Sequence, residues 1–248
     1  MRNIWTIAKR EYDHYFITPI AYIVAFVILG ILGAYFAFIV IYFTQNSFQL
    51  FGQTPNVSDI AGLFAFLMVF AIPMLTMRLV ADENRMGTIE LLLTAPIRDF
   101  ELVAGKWLGS FLFMLTVILA TFIYPIILNN LIDPGIDWGV VGSTYLALIL
   151  VAASLLSLGV GISAMFSNQI AALMASFGVG LFLWWLVGIP ASLITTSAGD
   201  FFRFLLMNSH VDALIGGTIG ILDISYFLTL VALGLFVATT AVELRRWR

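Results

Sequence analysis

From Pro19 onward the chain alternates between long apolar runs and short polar breaks. Runs of about 20 apolar residues are long enough to cross a bilayer as helices. Six such spans are predicted, over 20–44, 58–80, 103–131, 140–166, 170–195 and 223–242. The number turns on the break at Ser167-Asn168-Gln169. Without a turn there, one span would exceed about 50 residues, too long for a hydrocarbon core of about 30 Å.

Two stretches have a different pattern. At the start, Ile4, Trp5, Ala8, Tyr12, Tyr15 and Phe16 share one helical face, while Arg2, Lys9, Arg10 and Asp13 fall off it. That pattern predicts an amphipathic helix lying in the membrane interface, turned into the first span by Pro19. An ordinary aromatic and basic anchor that fixes depth is the alternative. Between the fifth and sixth spans, residues 196–222 place Asp200, Arg203, His210 and Asp212 among apolar neighbours such as Phe201, Phe202 and Phe204. Gly216, Gly217 and Gly220 break the stretch. A re-entrant or interfacial helical pair is expected there, with a poorly formed seventh span as the alternative.

Small residues recur every fourth position in two neighbouring spans: Ala153, Ser157 and Gly161, then Ala172, Ser176 and Gly180. Such rows let helix backbones approach closely. Because the turn at 167–169 makes these spans an antiparallel hairpin, packing within the hairpin is expected. Contact with a second copy is the other use of such a row. Gly30 and Gly33 on the first span add to this candidate dimer face, although their i,i+3 spacing is a weaker pattern. Pro73, Pro125 and Pro190 lie inside spans and are candidate kinks. Asp99 is a candidate cap for the third span, with Glu101 in its first turn.

Composition sets the class. Apolar residues make up 62% of the chain, charged residues 10%, and mean hydropathy is +1.06. Soluble domains run at about 45–50% apolar and about 25% charged. The chain therefore reads as one all-α integral membrane domain over 1–248. Arg2 to His14 is charged over too long a run to be a signal peptide. With no cysteine, thiol chemistry, disulfides and Cys-based metal sites are excluded. His14 and His210 are predicted on opposite sides of the membrane, so they cannot share a metal. HExxH, GxSxG and the phosphate-binding GxxxxGK[ST] are all absent, so neither those catalytic sites nor Walker-type nucleotide binding is expected. Nothing in the sequence suggests a nucleic-acid partner or a bound cofactor.

Charge orients the spans. With six of them, Arg2, Lys9, Arg10, Arg78, Arg85, Arg98, Lys106, Arg245, Arg246 and Arg248 share one side, and only Arg203 lies on the other. The positive-inside rule then places both termini in the cytoplasm. The spans themselves are nearly free of ionisable groups. Asp59 and Asp223 sit at span edges. A secondary carrier or channel normally needs intramembrane charge, which weakens that alternative. Energy for transport must then come from a partner.

One polar island offers a place to receive it. Arg78 to Trp107 holds four of the eleven basic and five of the fourteen acidic residues. Within it, Gly87 to Pro96 reads as a short helix. Ile89, Leu91, Leu92 and Leu93 need cover there, and Glu90 lies among them. Asp82, Glu83 and Arg85 are expected to form a charged brace at the end of the second span; a solvated loop is the plainer reading.

The order Glu83, Gly87-Thr88-Ile89-Glu90-Leu91-Leu92-Leu93-Thr94-Ala95-Pro96, Gly105-Lys106 resembles the type-2 ABC exporter permeases. The opening REYDHYFITPIAYI, the SNQIAA turn, NSHVDALIGGTIGILDISYF and the final LRRW resemble the branch containing gliding-motility and copper-enzyme-maturation permeases. The resemblance covers essentially the whole chain. It implies a non-catalytic permease subunit of the prokaryotic plasma (inner) membrane, exporting an unidentified substrate. ATP and Mg would be bound by a separate cytoplasmic ATPase. A second permease copy, as homodimer or heterodimer, is implied as well, and the architecture leaves room for an accessory extracytoplasmic protein. The resemblance makes Gly87–Pro96 the coupling helix and the N-terminal segment, with Trp5, Arg10 and Tyr12, an interface helix. It gives the stretch between spans five and six the role of closing the path outside. A membrane scaffold that recruits proteins through the same island is the remaining alternative.

Overall fold

The computed structural model describes residues 2–46, 55–86, 98–194 and 196–246. Among these, every regular element is helical and no strand occurs. Six helical stretches are long and apolar enough to cross a membrane: Pro19–Gln45, Val57–Glu83, Asp99–Leu131, Trp138–Met165, Gln169–Leu193 and Ile221–Leu244. They match the six predicted spans. The proposed helix over Gly87–Pro96 lies outside the described residues.

The first helix, α1 (Arg2–Tyr15), precedes the bundle and turns at Thr18 and Pro19 into α2 (Pro19–Gln45). The second span is α3 (Val57–Thr76), a turn at 77–80, and a short α4 (Ala81–Met86). Ser163, from a later helix, satisfies this break. Its hydroxyl accepts from the Val80 and Ala81 amides at 3.2 and 3.1 Å and donates to the Met77 carbonyl at 3.3 Å. A helix break inside a bundle leaves unpaired backbone groups that need such partners.

The third span is α5 (Asp99–Ala120) continued by α6 (Ile123–Leu131). Arg98, not Asp99, is its N-cap residue, and the Glu101 carboxylate accepts the Arg98 backbone N–H at 3.2 Å. A carboxylate three positions on reaches back to the first free amide, as in the reciprocal half of a capping box. α7 (Trp138–Met165) begins at Asp137, whose carboxylate accepts from the Gly139 amide at 2.7 Å. α8 (Gln169–Leu181) begins at Asn168, whose side chain accepts from Ile170 at 2.9 Å. The predicted turn at 167–169 is therefore an Asn-capped helix start.

α8 runs through a π-helical turn at Phe182–Leu186 into α9 (Gly188–Leu193). Two of the three intraspan prolines sit about one turn after an irregularity. Pro125 follows the 121–122 break, and Pro190 follows the π turn. Each lacks the amide that would bond the carbonyl four residues back. α3 instead continues unbroken through Pro73 as far as Thr76.

Two short helices, α10 (Ser197–Leu205) and α11 (Met207–Ile215), fill the predicted irregular stretch before α12 (Ile221–Arg246). The Ile215 carbonyl at the end of α11 accepts from Ser58 of α3 at 3.1 Å and from Thr144 of α7 at 3.4 Å. The pair is thus seated on the bundle end opposite α1 and α4.

α7 is the central helix, packed against α3, α5, α8, α11 and α12. Its row of small residues explains the position. Ser157 and Gly161 face Gly234 of α12, so closely that a Cβ on Gly161 would lie 2.9 Å from the Gly234 carbonyl. This differs from the expected pairing of the rows on α7 and α8. The α8 row turns to α3 and another side of α7: a Cβ on Gly180 would lie 3.1 Å from Val69, and a small cavity beside Ser176 and Gly180 is walled by Val69, Leu155 and Gly159. Ala172, Ser176 and Gly180 are buried within the chain itself. α2 is peripheral, with Phe26 and Phe38 exposed along its outer side.

Candidate functional site

The polar chemistry of the bundle collects where α1, α4 and α5 meet. Two glycines make the meeting possible. A Cβ on Gly105 would lie 2.7 Å from the Ile7 Cβ, and one on Gly109 would lie 2.8 Å from the Ala8 carbonyl. Small residues four apart admit a second backbone at this range. The α1 face that docks is therefore Ile4, Ile7, Ala8, Glu11 and Tyr15. It shares Ile4, Ala8 and Tyr15 with the apolar stripe read from the sequence, while Trp5 and Phe16 are exposed.

That geometry carries a charge into the joint. Between the two glycines is Lys106, only 2% exposed. Its ammonium pairs with Glu83 Oε1 of α4 at 2.7 Å and with Glu11 Oε1 of α1 at 3.3 Å. Arg10 also donates to Glu11, at 2.8 Å. Burial pushes the Glu11 carboxyl up, but the Lys106 ammonium and then Arg10 outweigh it and hold the carboxyl below its ordinary value. A cation buried this deeply needs such partners to offset its desolvation. Among the described residues, the second Glu83 oxygen, Oε2, is buried without a hydrogen-bond partner.

Tyr15 closes the joint on the membrane side. Its hydroxyl is shared between the Leu75 carbonyl at 3.1 Å and Ser110 Oγ at 3.2 Å, and Ser110 donates to the Lys106 carbonyl at 2.8 Å. Burial pushes the phenol pKa up, so the hydroxyl remains a donor. One tyrosine thereby ties α1 to both α3 and α5. Beside it opens a cavity of about 810 Å³, walled by α1, the start of α2, the end of α3, and α4. Arg78 and Asp13 stand at its mouth, and Ile20, Met74 and Leu75 line its apolar side.

The predicted site residues fall as follows. Glu83 is in the joint. Asp82 accepts a close hydrogen bond from Gln169 Nε2 at the start of α8. Arg85 belongs to α4. Gly87, Thr88, Ile89, Glu90, Leu91, Leu92, Leu93 and Pro96 lie outside the described residues. In α1, Arg10 pairs with Glu11, Tyr12 meets Thr116 at 3.2 Å, and Trp5 is exposed. On α2, Gly30 is open, while Gly33 faces the Tyr124 hydroxyl. Ala172, Ser176 and Gly180 are covered by α3 and α7, as described above.

Sequence reasoning did not single out Glu11 as a site residue. It also passed over the Gly105-x-x-x-Gly109 spacing, the one signal that could have revealed the joint.

The sequence profile of the family described as "ABC-2 family transporter protein" matches residues 5–244, nearly the whole chain. No curated protein matches it.

Proposed function

The chain belongs to the ABC-2 family of transporter proteins, and from that premise we propose that it is an export permease driven through the joint of α1, α4 and α5 by a separate ATPase. It is a multi-pass membrane protein and the permease component of an ABC transporter. In our reading both termini and the joint face the cytoplasm. Residues Gly87–Pro96 act as the coupling helix, and ATP and Mg are held by the partner. The chain itself is non-catalytic and works with a second permease copy, with the path between the two.

The observation that carries this reading is Lys106. One buried ammonium, bridged to carboxylates from α1 and α4, ties three elements together. α4 leads directly into the 87–97 segment, and α5 follows it. A push delivered between them would reach α1, α3 and α5 together instead of being absorbed by a loose loop. A carrier or channel would need charge inside the spans, where the described ionisable groups are confined to the ends.

The test is co-purification. The chain is expected to recover a nucleotide-hydrolysing subunit from its native membrane, and Leu92→Asp is expected to abolish that recovery while the permease still inserts and folds. Normal recovery of the ATPase with this variant would remove Gly87–Pro96 from the docking role.

A further inference from the structure

We propose that His210 and Asp223 form a one-proton latch holding α10 and α11 against the start of α12, and that raising the pH on that side of the membrane releases it. The proposal rests on the reading that this bundle end faces outside.

His210 of α11 is 7% exposed, and both its ring nitrogens are engaged. Nε2 lies 2.8 Å from the Phe204 carbonyl oxygen. A carbonyl can only accept, so Nε2 carries a hydrogen. Nδ1 lies 2.6 Å from Asp223 Oδ1. With Nε2 already protonated, this second contact is a hydrogen bond only if another proton lies between the two atoms. The pair is either imidazolium with carboxylate or imidazole with carboxylic acid. Both forms hold the same shared proton and carry no net charge. Remove that proton and one of the two contacts must fail: either two acceptors face each other at 2.6 Å, or the ring keeps its hydrogen on Nδ1 and Nε2 no longer donates to the Phe204 carbonyl.

The surroundings tie this contact to the helical pair. The imidazole stacks on Tyr226, with ring centres 4.3 Å apart, and Tyr226 donates to the Leu205 carbonyl at 2.9 Å. His210 and Tyr226 thus hold the end of α10, while Asp223 holds α11 to α12. On α11, Asp212 is bonded by Asn208; on α10, Asp200 pairs with Arg203. The other titratable groups on the packed elements are Asp59 of α3, Tyr145 of α7, and Glu243, Arg245 and Arg246 of α12. Tyr145 bonds Thr121, and Glu243 lies at the far end of α12.

The chain has no cysteine, so single thiols can report opening. Met207, on α11, is fully buried, and Asp200 is exposed. Intact cells expressing Met207→Cys or Asp200→Cys are labelled with a membrane-impermeant maleimide between about pH 6 and about pH 9. The Met207→Cys rate is divided by the Asp200→Cys rate to cancel thiol ionisation. The ratio is expected to rise about fivefold or more with pH as one of the two His210 hydrogen bonds is lost. Adding Asp223→Asn is expected to flatten the rise, because the carboxamide N–H can donate to neutral Nδ1 with no shared proton. A flat ratio in the native background, or an unchanged rise with Asp223→Asn, overturns the latch. If Asp200→Cys labels only in inverted vesicles, the orientation reading falls instead, and the same ratio measured in those vesicles decides the latch.

Discussion

Lys106 is the residue on which the joint depends. Its partners come from sequence positions 95 and 23 residues away, so no local reading could have joined them. Removing one member of a buried ion pair typically costs about 3–5 kcal/mol, because it strands the remaining charge. Lys106→Met is therefore expected to lower the thermal midpoint of the purified protein clearly and to leave Glu83 and Glu11 repelling each other. Glu83→Gln is milder, since the amide oxygen still accepts from Lys106. It is expected to keep the fold while lowering the ATPase activity coupled to the permease, and unchanged turnover would reduce Glu83 to a surface charge. Glu11 makes a separate pH prediction. Its folded carboxyl sits below the ordinary value of 4.5, so the stabilisation is complete above that pH and is lost as pH falls through the folded value. Acid melts of the native protein and Glu11→Gln should differ above about pH 4.5 and converge as the pH falls through the lowered folded value.

At the level of elements, glycine contacts decide which helices touch. A side chain at Gly109 has no room, since its Cβ would sit 2.6 Å from the Glu11 Cβ. Overpacking of this kind costs about 1–3 kcal/mol. Gly109→Val should detach α1 while the span helices persist, visible as faster proteolysis near Tyr15 without loss of helical signal. The existence and lengths of the spans were legible in the sequence, because hydrophobic length alone sets them. The partners of the small-residue rows were not. A four-residue spacing says that a helix can be approached closely, but not by which neighbour. α7 is surrounded, so its Ser157–Gly161 row had several helices to choose from and took α12. The role of Glu11 was not legible for a related reason: nothing local shows that Lys106 lies under it.

For the whole molecule, the α8 row is used up inside one chain, and the outer side of α2 is left open. A thiol at Gly30 is expected to crosslink to a second permease in the assembled transporter, whereas one at Ser176 is not. Crosslinking at Ser176 with none along α2 would reverse that assignment. The irregular stretch at 196–222 was legible as helical, but its seating was not. The hydroxyls of Ser58 and Thr144 that hold the Ile215 carbonyl lie 157 and 71 residues away in the sequence.

The fit of Gly234 against Ser157 also bears on how the chain is made. Synthesis delivers α7 to the bilayer long before α12 leaves the ribosome. Until then, the α7 groove with Ser154, Ser157 and Gly161 faces lipid or a temporary companion, since its permanent cover does not yet exist. A nascent chain halted before Ile221 should therefore be held by insertion chaperones or cleared by membrane proteases, and one extended through Val242 should escape both.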